Sequence, residues 1–206
     1  MAVGLVGADV ATNDRECRLS NIERYDYAFD PDGDAWAARI LRRLPSTGCR
    51  VLELGPGPGA MSKVMVAKGH NVVAIENDDQ ALKALYAIGV EVMPGDLDTA
   101  DWSTGLASRQ FDAVLACDVL EHLRHPEVVL QNLRQHVQPK GKLIVSVPNI
   151  AYGGVLAALR CGAFDYTDKG QLDRTHVRFF TRRSFESVLI GAGWIPVAWE
   201  ANRVPL

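Results

Sequence analysis

Three glycines at alternate positions, directly after a short apolar run, constrain the fold of this 206-residue chain more than any other feature. The short run is 51–54, and after it Gly55, Gly57 and Gly59 alternate with two prolines. Because glycine has no Cβ, the backbone N–H groups of such a turn can approach a ligand closely. The pattern predicts a strand, a tight turn and the start of a helix, with a nucleotide-like cofactor bound at the turn.

The rest of the chain alternates between short apolar runs and amphipathic stretches. Strands are predicted at 50–54, 71–75, 90–93, 111–117, 142–147 and 194–199. Helices are predicted at 34–44, 60–68, 79–88, 126–137 and 181–191, the last with Thr181 as its N-cap. Strands that alternate with helices of about ten residues indicate an α/β fold, a doubly wound, Rossmann-like and mainly parallel sheet with helices on both faces.

Composition argues against several classes of function. A net charge of −3 gives no electrostatic reason to expect nucleic acid or an anionic membrane as a partner. The four cysteines form no CxxC pair, so we expect a reducing compartment and neither a disulfide framework nor a structural zinc site. No apolar run approaches the roughly 18 residues of a membrane-spanning helix. A cytoplasmic protein without a membrane span is predicted.

The glycine turn by itself fits two cofactors that both contain adenosine. Residues 55–60 satisfy the dinucleotide pattern G-x-G-x-x-[G/A], and Glu76 ends the second predicted strand, where an acid binds ribose. Glu53 disfavours NAD, because its carboxylate would lie near the pyrophosphate, and it suits a ligand with an ammonium group and a sulfonium. Asp96, after the third predicted strand, is placed to accept a hydrogen bond from an adenine amino group.

Taken together, the motifs of residues 50–148 resemble those of class I S-adenosylmethionine-dependent methyltransferases. The matching segments are 53–59, Glu76, 95–97, 117–123 and 138–142. The resemblance implies S-adenosylmethionine as the cofactor. It implies that the methionine part is held by Glu53, Gly55, Gly57 and Gly59, the ribose by Glu76, and the adenine by Asp96 and Leu97. Cys117 and His122 complete the predicted set of cofactor-binding residues.

A second group of segments resembles a sub-group of these enzymes that is often found with bacterial glycosyltransferases and surface-polysaccharide genes. These segments are 25–27, 147–151, 164–167 and 172–181. The resemblance implies O-methylation of a sugar, a glycan or another small hydroxyl-bearing acceptor. Tyr27, Asn149 and Arg178 are the expected acceptor-binding residues.

Methyl transfer to a hydroxyl requires alignment and removal of a proton, and histidine has a suitable pKa for the second task. His176 is the predicted general base, with Asp173 three residues earlier to orient it. The alternative is that Asp173, His176 and Arg178 form a polar network that only holds the loop. Two other functions stay open, a catalytically weak methyltransferase-like binding module and an NAD-dependent oxidoreductase.

Asp118, Glu121 and His122 form a D-x-x-E-H pattern whose residue types can bind a divalent ion. Ubiquinone-pathway O-methyltransferases carry Glu-x-x-Glu-His at the matching position, and the aspartate here has a shorter reach. Short motifs of this kind have many false matches. We therefore predict no metal, and expect Glu121 and His122 to fix the loop and to contact the cofactor edge.

The chain is predicted to be a single methyltransferase domain in four parts. These are an N-terminal segment and helix at 1–49, the cofactor-binding core at 50–147, an acceptor-side insertion at 148–180, and the last helix and strand at 181–206. Sheets of this family have seven strands, whereas six are predicted here. A truncated domain, a larger parent protein or a homodimer that covers the open sheet edge is expected.

Overall fold

The computed structural model describes residues 25–45 and 47–201. The first 24 residues of the predicted N-terminal segment, which include Cys17, and the terminal residues 202–206 lie outside this range. The helices are α1 Trp36–Leu41, α2 Ala60–Ala67, α3 Asp79–Ala87, α4 Pro126–Leu133, α5 Gly153–Arg160 and α6 Arg182–Gly191. The strands are β1 Arg50–Leu54, β2 Asn71–Glu76, β3 Glu91–Pro94, β4 Phe111–Cys117 and β5 Val137–Ser146. Short 3₁₀ turns lie at Thr104–Leu106 and Leu120–His122.

The five strands form one parallel sheet in the order β3-β2-β1-β4-β5. The strand β1 lies at its centre, with Leu54 opposite Ile75 on one side and Ala116 on the other. The order reverses between β1 and β4, and ligands of such sheets bind in the crevice outside the carboxyl ends at this point. The predicted α/β, doubly wound architecture is confirmed.

Helices cover both faces of the sheet, so the apolar side chains form two cores. On one face, α4 and α6 pack over Leu52 and Leu54 of β1. On the other face, α1, α2 and α3 pack over Val51. Successive residues of β1 point to opposite faces, and both faces are buried, which explains why the adjacent residues Val51 and Leu52 are both apolar. None of the helices in the described ranges has the length and apolarity to span a membrane.

The predicted strand at 194–199 is wrong. Residues 194–200 follow α6 as irregular backbone, with Ile195 and Val197 exposed to 86% and 94%. Trp194 is anchored by a hydrogen bond from its indole Nε1 to the carbonyl of Leu130, at 2.8 Å. A strand needs a neighbouring strand to satisfy its backbone, and the described part of the chain offers none to this segment. A short apolar run was therefore not sufficient to predict a strand.

The insertion 148–180 contains α5, a helix that the sequence did not predict, followed by an irregular loop. The loop is fixed by its own backbone hydrogen bonds, including those from Arg174 N to Thr167 O and from Thr167 N to Leu172 O. It returns to the carboxyl edge of the sheet, where Ile150 N donates to Phe180 O. The predicted N-cap Thr181 is confirmed, because its side chain accepts from the backbone of Ser184 in a capping box.

Candidate functional site

The glycine turn after β1 uses a backbone that side chains rarely allow. Gly55, Gly57 and Gly59 have φ angles of 55°, 57° and 88°. A Cβ on Gly59 would lie 2.7 Å from Cδ2 of Leu85 in α3, so this glycine lets α2 and α3 pack closely. The turn thereby brings the N-terminus of α2 to the carboxyl edge of the sheet.

Glu76 at the end of β2 is bound to this turn. Its Oε2 accepts a hydrogen bond from Gly57 N at 2.9 Å, and its Oε1 accepts from Asn77 N and Asp78 N at 2.8 and 3.0 Å. The carboxylate therefore lies between the ends of β1 and β2, where the sequence predicted an acid that binds ribose.

Glu53 lies next to the turn, with its side chain buried inside the domain. The hydroxyl of Ser62, one turn into α2, donates a hydrogen bond of 2.5 Å to Oε2 of Glu53. Burial raises the pKa of Glu53 to about 7, the hydrogen bond from Ser62 opposes this rise, and the charge of Glu76 adds to it. A cationic group bound beside Glu53 would favour its ionised form.

Asp96 and Leu97 follow β3 at the same edge of the sheet. Gly95 N donates to Glu76 O at 3.0 Å, which holds this loop beside β2. Leu97 is buried in the core, and Asp96 Oδ1 accepts from Asp98 N at 2.9 Å. The two residues predicted to bind adenine thus neighbour the predicted ribose site.

Cys117 and Asp118 lie where β4 ends, and Tyr27 faces the same region. Asp118 has a φ of 53° and its Oδ1 accepts from Ser146 Oγ at 2.8 Å. Burial raises the pKa of Cys117 and of Asp118. Burial, followed by the charges of Glu53, Cys117 and Asp118, also raises the pKa of Tyr27. Cys117 is therefore a thiol and Tyr27 a phenol at neutral pH.

Glu121, in the 3₁₀ turn after β4, is the most unusual carboxylate of the site. Its side chain is 2% exposed, and neither of its oxygens accepts a hydrogen bond from the described residues. Burial raises its pKa to about 9, and the charges of Asp118 and Asp173 contribute. The backbone oxygen of Glu121 accepts from Val177 N and Arg178 N at 2.9 and 3.0 Å, which seats the insertion on this turn.

His176 lies beside Glu121, with 4.0 Å between its Nε2 and Oε1 of the carboxylate. The rings of His122 and His176 meet edge to face, with centroids 4.8 Å apart. One side-chain N or O atom from each of Glu121, His122 and His176 lies within 4.8 Å of the others. The structure thus joins two residues of the D-x-x-E-H motif with the predicted base, whereas Asp118 is bound to Ser146.

Asp173 braces the turn that carries His176. Its Oδ1 accepts from Thr175 N at 2.8 Å and from Thr175 Oγ1 at 2.7 Å. His176 Nδ1, in contrast, lies 3.3 Å from the carbonyl oxygen of Gln171. A backbone carbonyl thus contacts the imidazole, and Asp173 fixes the backbone of the same turn. An orienting role of Asp173 toward His176 stays a prediction.

Arg178 and Asn149, expected to bind the acceptor, both hold backbone in this structure. Arg178 donates from Nε to Arg124 O at 3.0 Å, and its Nη2 bonds the same oxygen. Asn149 Oδ1 accepts from Ala151 N at 3.0 Å. These contacts match the alternative prediction that the insertion is held by a polar network.

Sequence reasoning missed a row of aromatic rings that runs outward from His176. The centroid of the Phe179 ring lies 6.3 Å from that of His176. The centroid of Phe164 lies 6.2 Å from that of Phe179, and the centroid of Tyr166 lies 5.6 Å from that of Phe164. All three aromatic side chains are exposed. The insertion has no periodicity that would have placed them on one surface.

The fold is an α/β domain with a crevice at the carboxyl ends of β1, β2 and β4. Residues 27–198 match the family described as a methyltransferase domain. The chain belongs to this methyltransferase family.

Among curated relatives, ubiquinone biosynthesis O-methyltransferases recur. The protein of Caulobacter sp. (strain K31) is 31% identical over 140 residues, 65% of this chain and 52% of the relative. That of Xylella fastidiosa (strain 9a5c) is 28% identical over 123 residues, 58% of this chain and 50% of the relative. A ribosomal RNA small subunit methyltransferase A from Paracoccus denitrificans is 37% identical over 102 residues, 48% of this chain and 32% of the relative. The chain spans about half the length of the ubiquinone-pathway relatives.

Solved structures show the same fold. An S-adenosylmethionine-dependent methyltransferase from Mesorhizobium loti superposes with a TM-score of 0.60 at 19% identity, covering 80% of this chain and 82% of that one. A second, from Archaeoglobus fulgidus, has a TM-score of 0.59 at 18% identity, covering 76% of this chain and 66% of that one.

Proposed function

We propose that this chain uses S-adenosylmethionine to methylate a hydroxyl oxygen of a small acceptor. The observation that carries the proposal is the position of Glu76, which bonds the glycine turn and lies beside the buried Glu53. An acid at the end of β2 suits ribose hydroxyls, and a buried acid at the end of β1 suits an ammonium group. A pyrophosphate beside Glu53 would meet a negative charge, which argues against NAD.

The strand order gives the bound cofactor a direction along the crevice. Asp96 and Leu97 lie beyond β3, Glu76 at β2 and Glu53 at β1, so adenine, ribose and methionine would follow one another along the edge. S-adenosylmethionine supplies an electrophilic methyl group. In this orientation the methyl group of the cofactor faces the end of β4. The acceptor would bind beyond it, next to Cys117, Glu121 and His122.

His176 can accept the proton of the acceptor hydroxyl. The contact between its Nδ1 and Gln171 O places the proton of a neutral imidazole on Nδ1 and the lone pair on Nε2. Nε2 points toward Glu121, inside the space between β4 and the insertion. A base in this position would contribute about 10²- to 10⁴-fold to the rate.

Segment resemblances favour a sugar or glycan hydroxyl as the acceptor. The exposed rings of Phe164, Tyr166 and Phe179 support this, because an aromatic face packs well against the apolar face of a sugar ring. A phenolic hydroxyl is the second candidate, since the curated relatives include ubiquinone biosynthesis O-methyltransferases and the same rings would stack on a phenol. A cytoplasmic location and an acceptor other than nucleic acid stay predictions from composition.

Calorimetric titration of the purified chain with S-adenosylmethionine, S-adenosylhomocysteine and NAD tests the cofactor. We expect micromolar affinity for the first two and none for NAD, and NAD binding alone would overturn the proposal. Transfer of a labelled methyl group would then be measured on nucleotide sugars, oligosaccharides and catechols. Cofactor binding without transfer to any of these acceptors would favour a binding module.

A further inference from the structure

Three metal-binding side chains converge from two segments that are far apart in the sequence. Glu121 and His122 belong to the 3₁₀ turn after β4, and His176 comes from the insertion. One donor atom of each lies within 4.8 Å of the other two. Around a single ion, with bonds of about 2.1 Å, such atoms lie roughly 3 to 3.4 Å apart. Small side-chain rotations would close this difference.

Glu121 is the residue that points to a bound cation. Both of its carboxylate oxygens are buried, and no hydrogen bond reaches them from residues 25–45 or 47–201. Nε2 of His176 lies 4.0 Å from Oε1 of Glu121, which is beyond hydrogen-bond distance. Folded proteins rarely bury a carboxylate in this way unless it is paired or coordinates a metal. A cation between Glu121 and the two imidazoles would satisfy it.

Hydrogen bonds hold both imidazoles in the tautomer that binds metals. The hydroxyl of Thr175 donates its proton to Asp173 Oδ1 at 2.7 Å. The same hydroxyl oxygen lies 3.2 Å from His122 Nδ1, and because its proton is already used it accepts a hydrogen bond from that nitrogen. The carbonyl oxygen of Thr175 lies 3.3 Å from the same Nδ1. His122 Nδ1 is therefore the donor, and its Nε2 holds the lone pair. Gln171 O sets the same tautomer in His176.

We propose that Glu121, His122 and His176 bind a divalent transition-metal ion, Zn²⁺ or Mn²⁺ in preference to Mg²⁺. Two imidazole nitrogens and one carboxylate suit these ions, and three protein ligands leave positions open for an acceptor oxygen. This assignment replaces the prediction of no metal. In the D-x-x-E-H motif Asp118 is bound to Ser146, and the insertion supplies His176 as the third donor instead.

The role of the ion rests on the proposed function. A hydroxyl bound to the ion has a lowered pKa and loses its proton to water. Its oxygen then forms the bond to the methyl carbon while the bond from that carbon to sulfur breaks, and the sulfonium becomes a neutral thioether. His176 acts in this step as a metal ligand and not as the general base.

Binding of the metal alone tests the site without cofactor or acceptor. Protein stripped with EDTA is titrated with MnCl₂ by electron paramagnetic resonance and with ZnCl₂ by calorimetry. We expect one site per chain, and a loss of affinity of at least tenfold in Glu121→Gln and in His176→Asn. Circular dichroism verifies that each variant is folded.

The exposed pair His125 and Glu127, 3.4 Å apart, provides matched control substitutions. His125→Asn and Glu127→Gln should leave the metal affinity unchanged. Equal affinity in all five proteins, or no binding by the wild-type chain, would overturn the inference. Failure of the proposed function would give a different result: the chain would bind the metal but not S-adenosylmethionine. If cofactor binds but metal does not, His176 keeps its role as the base.

Discussion

The backbone N–H of Gly57 donates a hydrogen bond of 2.9 Å to Oε2 of Glu76, which joins the turn after β1 to the end of β2. Asn77 and Asp78 donate their own N–H groups to the other oxygen. The carboxylate is thereby fixed before any ligand arrives. A ligand that binds it does not have to order this side chain, and preorganisation of this kind favours affinity.

Glu76→Ala should weaken binding of S-adenosylmethionine by about 10- to 100-fold. The expected loss follows from hydrogen bonds to a charged group, each of which contributes about 1.5–3 kcal/mol. Isothermal titration calorimetry measures it. Asp79→Ala is the matched control, because Asp79 is an exposed acid three residues further on. Equal losses in the two variants would remove Glu76 from the cofactor site.

Glu53 should make the stability of the unliganded chain depend on pH. Burial raises the pKa of Glu53 from its ordinary value of 4.5 to about 7, so between these values the folded state binds more protons than the unfolded state. Stability from this group therefore falls as pH rises from 4.5 to 7, by about 3 kcal/mol in total. Urea unfolding of the wild type and of Glu53→Gln should differ little at pH 4.5, with the variant more stable at pH 8.

The same carboxylate should couple cofactor binding to proton release. An ammonium group beside Glu53 favours the ionised form, so binding below pH 7 must expel a proton, and affinity should rise with pH up to about 7. Calorimetry in two buffers with different ionisation enthalpies counts the protons. Glu53→Gln should release none from this position. Proton release that is identical in the variant would assign it to another group.

The clustering of the predicted cofactor-binding residues at one sheet edge could be predicted from sequence. Glu53, Gly57 and Glu76 lie at or just after the ends of predicted strands, and the carboxyl ends of parallel strands meet at one edge. Local sequence patterns, together with the rule that parallel strands end at one edge of the sheet, were therefore sufficient to predict that these residues lie close to one another.

The acceptor half was not predictable in the same way. His176 lies beside Glu121 because an irregular loop carries it there, and backbone hydrogen bonds set the shape of this loop. The spacing of apolar residues in the sequence does not predict such hydrogen bonds. The helix α5 begins with two glycines, which read as loop, although the structure forms a helix there. The segment 194–199 is a short apolar run of the kind that strands have, but no strand of the described part of the chain pairs with it.

Gly59→Ala should destabilise the chain more than Gly69→Ala. Both glycines have positive φ, at 88° and 80°, which costs an alanine about 1–2 kcal/mol. A Cβ at Gly59 would also lie 2.7 Å from Leu85 Cδ2, whereas one at Gly69 would meet no atom within 4 Å. This overlap should add about 1–3 kcal/mol. Urea unfolding measures both variants, and equal losses would show that α3 moves to accept the methyl group.

Arg178→Ala should loosen the contact between the insertion and the turn after β4. The guanidinium of Arg178 donates to Arg124 O, next to the point where Val177 N and Arg178 N donate to Glu121 O. Loss of this bond, at about 1 kcal/mol, should speed amide hydrogen exchange at Val177 about fivefold. Arg183→Ala removes the same charge from an exposed position of α6 and should change nothing there. Unchanged exchange in Arg178→Ala, together with a raised KM for the acceptor, would instead assign Arg178 to acceptor binding.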